Sequence, residues 1–345
     1  MTRELLNTLF VLTENAVVKL EGEALAIHIE DEAKRTVPLH HLGSVMLFGT
    51  AHISGPALSR CAKDGRAVNF MDFAGRFQAR VEGPESGNIL LRLAQFAAYA
   101  DPFRTASIAR CVVAGKLRNQ RQNLMRAARD TKKDEDKTYL QAATDAIARL
   151  VPMLPEQSDI ESIRGIEGQA ASLYFEVFDR MLTVPPSEFA FTVRTRRPPR
   201  DRVNALLSFL YALLTTDCTA ACEGVGLDPQ LGYLHVPRPG RPSLALDLME
   251  EFRPVLAERL ALTLINRRQL KVEHFDDFEG GAVLLNEVGR KIVLSAYQER
   301  KKEEIEHPFL KDKAPLGLLP HLQARLLARH LRGDLDHYPP FLSAP

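Results

Sequence analysis

The chain has 345 residues and carries 45 Lys and Arg against 44 Asp and Glu, so its formal charge is nearly balanced. This balance excludes a globally basic nucleic-acid-binding protein, and any basic surface has to be local. Hydrophobic residues make up 45% of the sequence, enough to build a core, which excludes a disordered chain. The length allows two ordinary domains.

Cysteine usage and hydropathy indicate a location. The cysteines form no CxxC pair, and we expect them to be buried thiols in a reducing cytosol rather than zinc ligands. The N-terminus lacks the apolar core of a signal peptide, and no apolar run reaches the roughly 18 residues of a membrane span. The sequence therefore predicts a soluble cytoplasmic protein without a membrane partner.

The first part of the chain has the pattern of short β-strands. Residues 9–12 and 17–20 flank Glu14 and Asn15, which predicts a β-hairpin turn. Apolar residues alternate with others between Leu25 and Ile29, the period of a strand with one buried face. A cluster of Gly, Pro and Ser follows from Gly83 onward. We predict a small β-rich domain over residues 1–83 and a linker over residues 84–89.

The rest of the chain has helical periodicity. Pro102 interrupts the first helical segment. We predict further helices over residues 105–129, 134–150, 160–182, 203–222, 244–269, 282–306 and 318–331. The predicted fold class is therefore α+β, with the β-rich N-terminal domain followed by a larger all-α catalytic domain over residues 90–345.

The helical segment from Ile163 to Ala171 holds the first candidate for chemistry, Glu167. Gly165 and Gly168 flank this glutamate, and each costs about 1 kcal/mol against alanine inside a helix. A helix tolerates such a cost where something must approach its backbone closely, so a bulky ligand could reach the Glu167 carboxylate. The alternative is a notch that packs against another helix, with Glu167 merely exposed.

Two further segments supply an imidazole and carboxylates. His235 ends a turn that follows Asp228, although a single histidine is more often structural than functional. Asp247 and Glu250 lie three residues apart and therefore share one face of an apolar helix. Carboxylates in apolar surroundings are costly unless they are paired or bind a metal. Either a metal site or a salt bridge to Arg253 would explain them.

These segments, in this order, resemble the motifs of the CRISPR-associated integrase, the adaptation nuclease common to CRISPR systems. GIEGQAASLYF resembles the helix with its glutamate, GLDPQLGYLH the turn with its histidine, and LALDLMEEFRP its acidic helix. The resemblance covers nearly the whole chain, and the linked series is far more specific than any single motif. RTRRPPRDRVNALLSFLYALL is similar to the form found in subtype I-C systems.

The resemblance implies that Glu167, His235 and Glu250 are the catalytic residues and bind Mg²⁺ or Mn²⁺. Asp247 matches a nearby acidic position of the family. It either supports the metal ligands without binding the metal or is an alternative ligand. Such a site suits phosphodiester chemistry, in which water as the nucleophile gives cleavage and a DNA 3′-hydroxyl gives strand joining. Nothing in the sequence requires two metals.

Partners also follow from the resemblance. It implies double-stranded DNA as substrate, both as the prespacer and as the leader and repeat of a CRISPR array. It implies a homodimer formed through the β-rich domains, and a complex of such dimers with the small second CRISPR adaptation protein. The sequence itself shows no coiled-coil seam and no obvious interface.

Two basic segments are candidates for contacts with DNA phosphates. A guanidinium group can bind two phosphate oxygens at once, and the alternative for both segments is an ordinary solvated surface. The first segment is a predicted loop with Arg194, Arg196, Arg197, Arg200 and Arg202. The second lies on a predicted helix and contains Lys116, Arg118 and Arg121.

Three functions stay open from the sequence. The favoured one is an endonuclease and integrase that inserts new spacers into a CRISPR array by phosphodiester transesterification. The runner-up is a metal-dependent nuclease that acts on branched DNA in repair. Outside enzymes, the alternative is a non-catalytic DNA scaffold in which the three residues form a structural ion pair.

Overall fold

The computed structural model describes residues 7–30, 33–72, 77–81, 83 and 89–343. The chain divides into two compact units, one of Met1–Ser86 with Asn286–Glu299 and the other of Gly87–Leu285 with Arg300–Pro345. The predicted α+β class is confirmed, with a β-rich region first and a helical region after it. Residues 84–88 of the predicted linker lie outside the described residues, and Ile89 begins a helix.

The described residues of the N-terminal segment of the first unit form two sheets and one short α-helix, α1 (Gly55–Lys63). The other segment of this unit, Asn286–Glu299, belongs to a later helix. The strands of the N-terminal segment are β1 (Asn7–Val11), β2 (Val17–Glu21), β3 (Ala24–His28), β4 (Arg35–Pro38), β5 (Leu42–Phe48), β6 (His52–Ile53), β7 (Ala67–Met71) and β8 (Phe77–Val81). The strand orders are β1-β5-β7-β8 and β4-β3-β2-β6. Apolar side chains from both sheets form one shared core.

The hairpin predicted around Glu14 and Asn15 is wrong. Asn15 does take a left-handed conformation, with φ of 56°, but the chain passes there from one sheet to the other. β1 pairs in parallel with β5, whereas β2 pairs with β3 and β6. Val11 and Val18 both reach the shared core, so two sheets satisfy the same apolar pattern that a hairpin would have satisfied.

The helical region begins with four helices before its first long loop. They are α2 (Ile89–Ala100), α3 (Pro102–Asp130), α4 (Asp134–Leu150) and α5 (Ile160–Glu176). The chain continues with α6 (Arg202–Val225), α7 (Ser243–Phe252), α8 (Arg259–Asn266), α9 (Glu287–Lys302) and α10 (Leu319–Leu331). The helix α4 has the predicted bounds, while the helix predicted over residues 160–182 ends earlier, at Glu176.

The prediction of a purely helical second region needs two corrections. The segment predicted as one helix over residues 244–269 is α7, a π-helical turn at Arg253–Glu258, and α8. Pro254 lacks an amide N–H and its ring crowds the preceding turn, which ends the regular helix there. The helix predicted from residue 282 starts later, because β9 (Phe275–Phe278) and β10 (Ala282–Leu285) form a hairpin.

Gly280 and Gly281 make that hairpin possible, with φ of 86° and 76°, since glycine takes positive φ without a steric cost. A second small pair, β11 (Glu304–Glu306) with β12 (Lys313–Pro315), follows α9. The second region is therefore helical with two short hairpins, and not all-α.

The helix α6 is long and apolar enough by length and composition to cross a membrane. More than half of its most apolar stretch is buried inside the protein, as is typical of the central helix of a folded core. α6 packs against α7, and α3 packs against both α5 and α7. This arrangement brings together the helices that carry Lys116, Glu167 and Glu250.

Candidate active site

The helix α7 buries an unusual number of carboxylates. Asp247 and Glu250 are 1% exposed and Glu251 is fully buried, although the helix is otherwise apolar. A buried carboxylate is stable only with compensating hydrogen bonds or charges. Each of the three therefore has to be explained by what its oxygens contact.

Asp247 holds the turn that carries His235. Its Oδ2 accepts hydrogen bonds from the backbone N–H of Tyr233 at 2.5 Å and of Leu234 at 3.0 Å. Its Oδ1 accepts from the backbone N–H of His235 at 2.8 Å and lies 2.7 Å from the Nδ1 atom of the same residue. Because a carboxylate oxygen can only accept, Nδ1 is the ring nitrogen that donates to Asp247, and Nε2 is the one that faces Glu250.

Gly232 lets this turn approach α7. A Cβ atom at this position would lie 2.6 Å from the backbone carbon of Ser243, the first residue of α7. Any other residue here would force the turn away from the helix. The glycine therefore helps to place His235, whose Nε2 lies 3.7 Å from Oε1 of Glu250.

Glu167 and Glu250 meet at the ammonium group of Lys116. Nζ of Lys116 forms an ion pair with Oε1 of Glu167 and lies 2.6 Å from Oε2 of Glu250. The three side chains come from α5, α7 and α3. Burial would lower the pKa of Lys116, but the two carboxylates raise it above its ordinary value, so the side chain is a cation.

Arg253 is the second cation beside Glu250. Its Nη1 lies 2.9 Å from Oε1 of Glu250, and its guanidinium carbon lies 4.9 Å from the ring centre of Tyr211. Burial alone would raise the pKa of Glu250, but Arg253 and Lys116 outweigh it and hold that pKa at about 2. Glu250 is therefore ionised. The salt bridge to Arg253, one of the two explanations for this carboxylate, is present.

Glu251 points away from this cluster. Its carboxylate accepts hydrogen bonds from Tyr338 Oη at 2.5 Å, Gln323 Nε2 at 2.9 Å and the backbone N–H of Phe341 at 2.5 Å. Burial raises the pKa of Glu251 to about 8 in spite of these bonds. Glu251 therefore anchors the C-terminal segment to α7 and takes no part in the site.

The two glycines beside Glu167 border open space. A Cβ atom at Gly165 or Gly168 would meet nothing within 4 Å among the described residues. No other described helix therefore packs against these two glycines, and the backbone beside Glu167 is accessible. The Glu167 side chain itself is 26% exposed and that of His235 is 21% exposed, so a ligand can reach the cluster from this side.

The donor atoms fit a divalent metal. As placed, no group of three His, Cys, Asp or Glu side chains in the described part of the chain is already arranged as a metal site. However, Oε2 of Glu250 is buried and accepts no hydrogen bond of good geometry there, despite the nearby ammonium. Two carboxylates and the Nε2 of an oriented imidazole form a donor set that suits Mg²⁺ or Mn²⁺.

The structure separates the arginine-rich loop into inner and outer residues. Arg194 donates to Ser208 Oγ at 3.1 Å and to the side-chain oxygen Oδ1 of Asn204 at 2.6 Å, and Arg202 donates to the backbone carbonyl of Glu188 at 2.9 Å. Arg200 reaches the carbonyl of Gly280 at 3.4 Å. Arg196, Arg197 and Arg200 are the exposed members of the set. Arg196 and Arg197 lack the contact to Gly280 that Arg200 makes.

The second basic segment divides in the same way. Lys116 lies in the carboxylate cluster, and Arg121 donates to the carbonyl of Thr144 at 3.2 Å. Arg118 is exposed. The position of Lys116 could have been found from the sequence, because it lies four and three residues after Val112 and Val113 and so falls on the buried face of its helix.

We predict that Arg196 and Arg197 contact DNA phosphates. Replacing both by alanine should weaken DNA binding and flatten its dependence on salt, by up to roughly one unit of slope per lost contact. Binding measured by fluorescence anisotropy across a salt series checks this. Arg149→Ala, on the exposed side of α4, is the control and should leave the slope unchanged. An unchanged slope in the double variant would show that the loop is only solvated.

Comparisons with known proteins agree on one family. The sequence pattern of the family described as CRISPR associated protein Cas1 matches residues 9–299. The CRISPR-associated endonuclease Cas1 1 of Moorella thermoacetica is 54% identical over 338 residues, which is 98% of each chain.

Two solved structures are similar in fold. A casposase bound to integration product superposes with a TM-score of 0.82 at 21% identity, over 97% of this chain and 93% of that one. A chain of a Cas6-RT-Cas1–Cas2 complex gives a TM-score of 0.81 at 25% identity, over 100% of this chain and 37% of that one.

Proposed function

The chain belongs to the Cas1 family of CRISPR-associated proteins, and we propose that it is a divalent-metal-dependent DNA endonuclease and integrase. The observation that carries this proposal is the meeting of Glu167 and Glu250 at one point, with the Nε2 atom of His235 3.7 Å from Glu250. Residues 68 and 15 positions apart in the sequence would not converge in this way by local structure alone.

The metal ligands we propose are Glu167, His235 and Glu250. A bound Mg²⁺ or Mn²⁺ would stabilise negative charge on the attacked phosphodiester and orient the displacement. The imidazole favours Mn²⁺ over Mg²⁺, because nitrogen donors suit transition metals. Asp247 is not itself a ligand in this proposal.

The surrounding residues orient the proposed ligands, keep one of them ionised and leave room for the substrate. Asp247 fixes the tautomer and the orientation of His235 through the contact of 2.7 Å to Nδ1. Arg253 and Lys116 keep Glu250 ionised, as a metal ligand has to be. Gly165 and Gly168 leave room beside Glu167 for a DNA strand.

One site can perform both reactions that we propose. When water attacks the phosphodiester, the phosphorus–oxygen bond to the leaving 3′- or 5′-oxygen breaks and the strand is cleaved. When the 3′-hydroxyl of another DNA end loses its proton and attacks, the phosphorus bond to the target's 3′-oxygen breaks, that oxygen takes up a proton, and the new phosphodiester joins the two strands. The similarity in fold to a casposase bound to integration product is consistent with strand joining.

We propose further that the partners are double-stranded prespacer DNA, the leader and repeat of a CRISPR array, a second copy of this chain, and the small adaptation protein. The similar chain in the Cas6-RT-Cas1–Cas2 complex supports the last of these. A CRISPR array and the gene for the small partner next to this gene would test the proposed partners.

The arginine-rich segment before α6 also suggests subtype I-C.

Integration into a plasmid tests the proposed function. With Mg²⁺ or Mn²⁺, the protein and its small partner should insert a labelled short duplex into a supercoiled plasmid that carries a leader and repeat. Glu167→Ala and His235→Ala should abolish the product. The control Glu176→Ala removes an exposed glutamate from the same helix α5 and should integrate normally.

Two results would contradict the proposal. Cleavage of branched DNA without any integration would favour a repair nuclease. DNA binding that survives in Glu167→Ala, with no metal-dependent reaction in any variant, would favour a scaffold.

A further inference from the structure

Lys116 is placed unusually for a lysine. Its side chain is 4% exposed, in the middle of the 29-residue helix α3. Removing an ammonium group from water is costly, so a buried lysine requires nearby negative charge. Glu167 and Glu250 supply that charge, and both are proposed metal ligands.

The same two carboxylates would serve both cations. Nζ of Lys116 contacts Oε1 of Glu167 and Oε2 of Glu250. A divalent ion held by both glutamates would have to approach these carboxylates from the same side. Two cations so close together repel each other strongly where water is excluded.

The charges of the cluster already balance without a metal ion, so a divalent ion would have to displace a cation. The two negative charges of Glu167 and Glu250 are matched by the two positive charges of Lys116 and Arg253. A divalent ion added to this set would leave a buried excess of positive charge. Arg253 can remain, because it binds the other oxygen of Glu250, Oε1, and rests on the ring of Tyr211. Lys116 is therefore the cation that has to move.

We propose that Lys116 competes with the divalent metal for Glu167 and Glu250, and so sets the metal concentration that the site requires. This inference rests on the proposed metal-dependent function. In this role Lys116 holds the two glutamates together, and the freed ammonium becomes available to a phosphate oxygen of the incoming DNA. The binding of DNA, which brings negative charge, then favours the exchange of cations.

Calorimetric titration of Mn²⁺ into the full chain without DNA tests the competition. Lys116→Met keeps the unbranched stem and removes the charge, and we expect it to bind Mn²⁺ at least about tenfold more tightly than the unsubstituted protein. Lys137→Met, at an exposed position of α4, is the matched control and should bind as the unsubstituted protein does. Equal or weaker binding by Lys116→Met would overturn the inference.

A second measurement does not depend on the folding of the variant. In a crystal structure of the unsubstituted protein grown with Mn²⁺, Nζ of Lys116 should have left at least one of the two carboxylates. A metal bound to both glutamates with Lys116 still in contact with both would overturn the competition but leave the metal site intact. Failure of every variant to bind Mn²⁺ would overturn the competition and the proposed metal-dependent function together.

Discussion

Glu250→Gln is expected to reduce DNA cleavage and strand transfer to near the limit of detection. The substitution keeps the size of the side chain but removes the negative charge that Lys116 and Arg253 surround. Loss of a residue that binds the metal directly should nearly abolish turnover. Replacing a residue that only contacts a ligand typically lowers activity or metal affinity by about ten- to a hundredfold. The rate of cleavage of a labelled duplex in Mn²⁺ measures the effect.

Asp247→Asn is the comparison for this prediction. Asp247 contacts the turn and the Nδ1 atom of His235, so its replacement should disturb the imidazole and still leave measurable product. Higher Mn²⁺ should restore part of the loss. The opposite ranking, with Asp247→Asn inactive and Glu250→Gln active, would mean that the third ligand is Asp247.

Arg253→Met is expected to lower the free energy of unfolding by roughly 3 kcal/mol, because breaking a buried ion pair leaves a charge without compensation. This loss of stability should lie at the low end of the range usual for a broken buried ion pair, since Lys116 remains 2.6 Å from Glu250. Urea denaturation followed by circular dichroism measures it. The exposed substitution Arg126→Met on the neighbouring helix α3 should change the stability by less than about 0.5 kcal/mol.

A double variant separates the ion pair from simple packing. If Glu250 is the group left uncompensated, then adding Glu250→Gln to Arg253→Met should recover part of the lost stability. Additive losses in the double variant would instead assign the effect to the contact between Arg253 and Tyr211. A single variant as stable as the unsubstituted protein would show that Glu250 does not need Arg253.

The sequence predicted those parts of the fold that depend on local periodicity. The helix α4 follows from the spacing of its apolar residues, and the structure has it at the predicted bounds. The pairing of strands is a long-range property, and the wrong hairpin at Asn15 shows this. The apolar run at Ala282–Leu285 has a helical pattern in the sequence, whereas the structure pairs it with a strand that contains Asp276 and Asp277.

In the candidate site, too, the sequence predicted what depends on local motifs and not what depends on long-range packing. The residue types at Glu167, His235 and Glu250 and the order of their motifs were enough to nominate them. Arg253 lies three residues after Glu250, so the sequence could name it as a partner. Helical spacing could place Lys116 on the buried face of α3 but not beside the carboxylates, because Lys116 is 51 residues from Glu167 and 134 residues from Glu250 in the sequence. Only packing of α3 against α5 and α7 brings it to the carboxylates. The sequence therefore predicts that Lys116 lies on a basic surface, whereas the structure buries it.

The most direct test of the metal site is a crystal structure of the protein with Mn²⁺ and a DNA substrate, phased to show the anomalous signal of manganese. We expect a peak about 2.0–2.6 Å from ligand atoms of Glu167, His235 and Glu250, with a phosphate oxygen of the DNA beside it. A structure in which these three side chains point into separate regions, or in which manganese binds elsewhere, would contradict the assignment of this site.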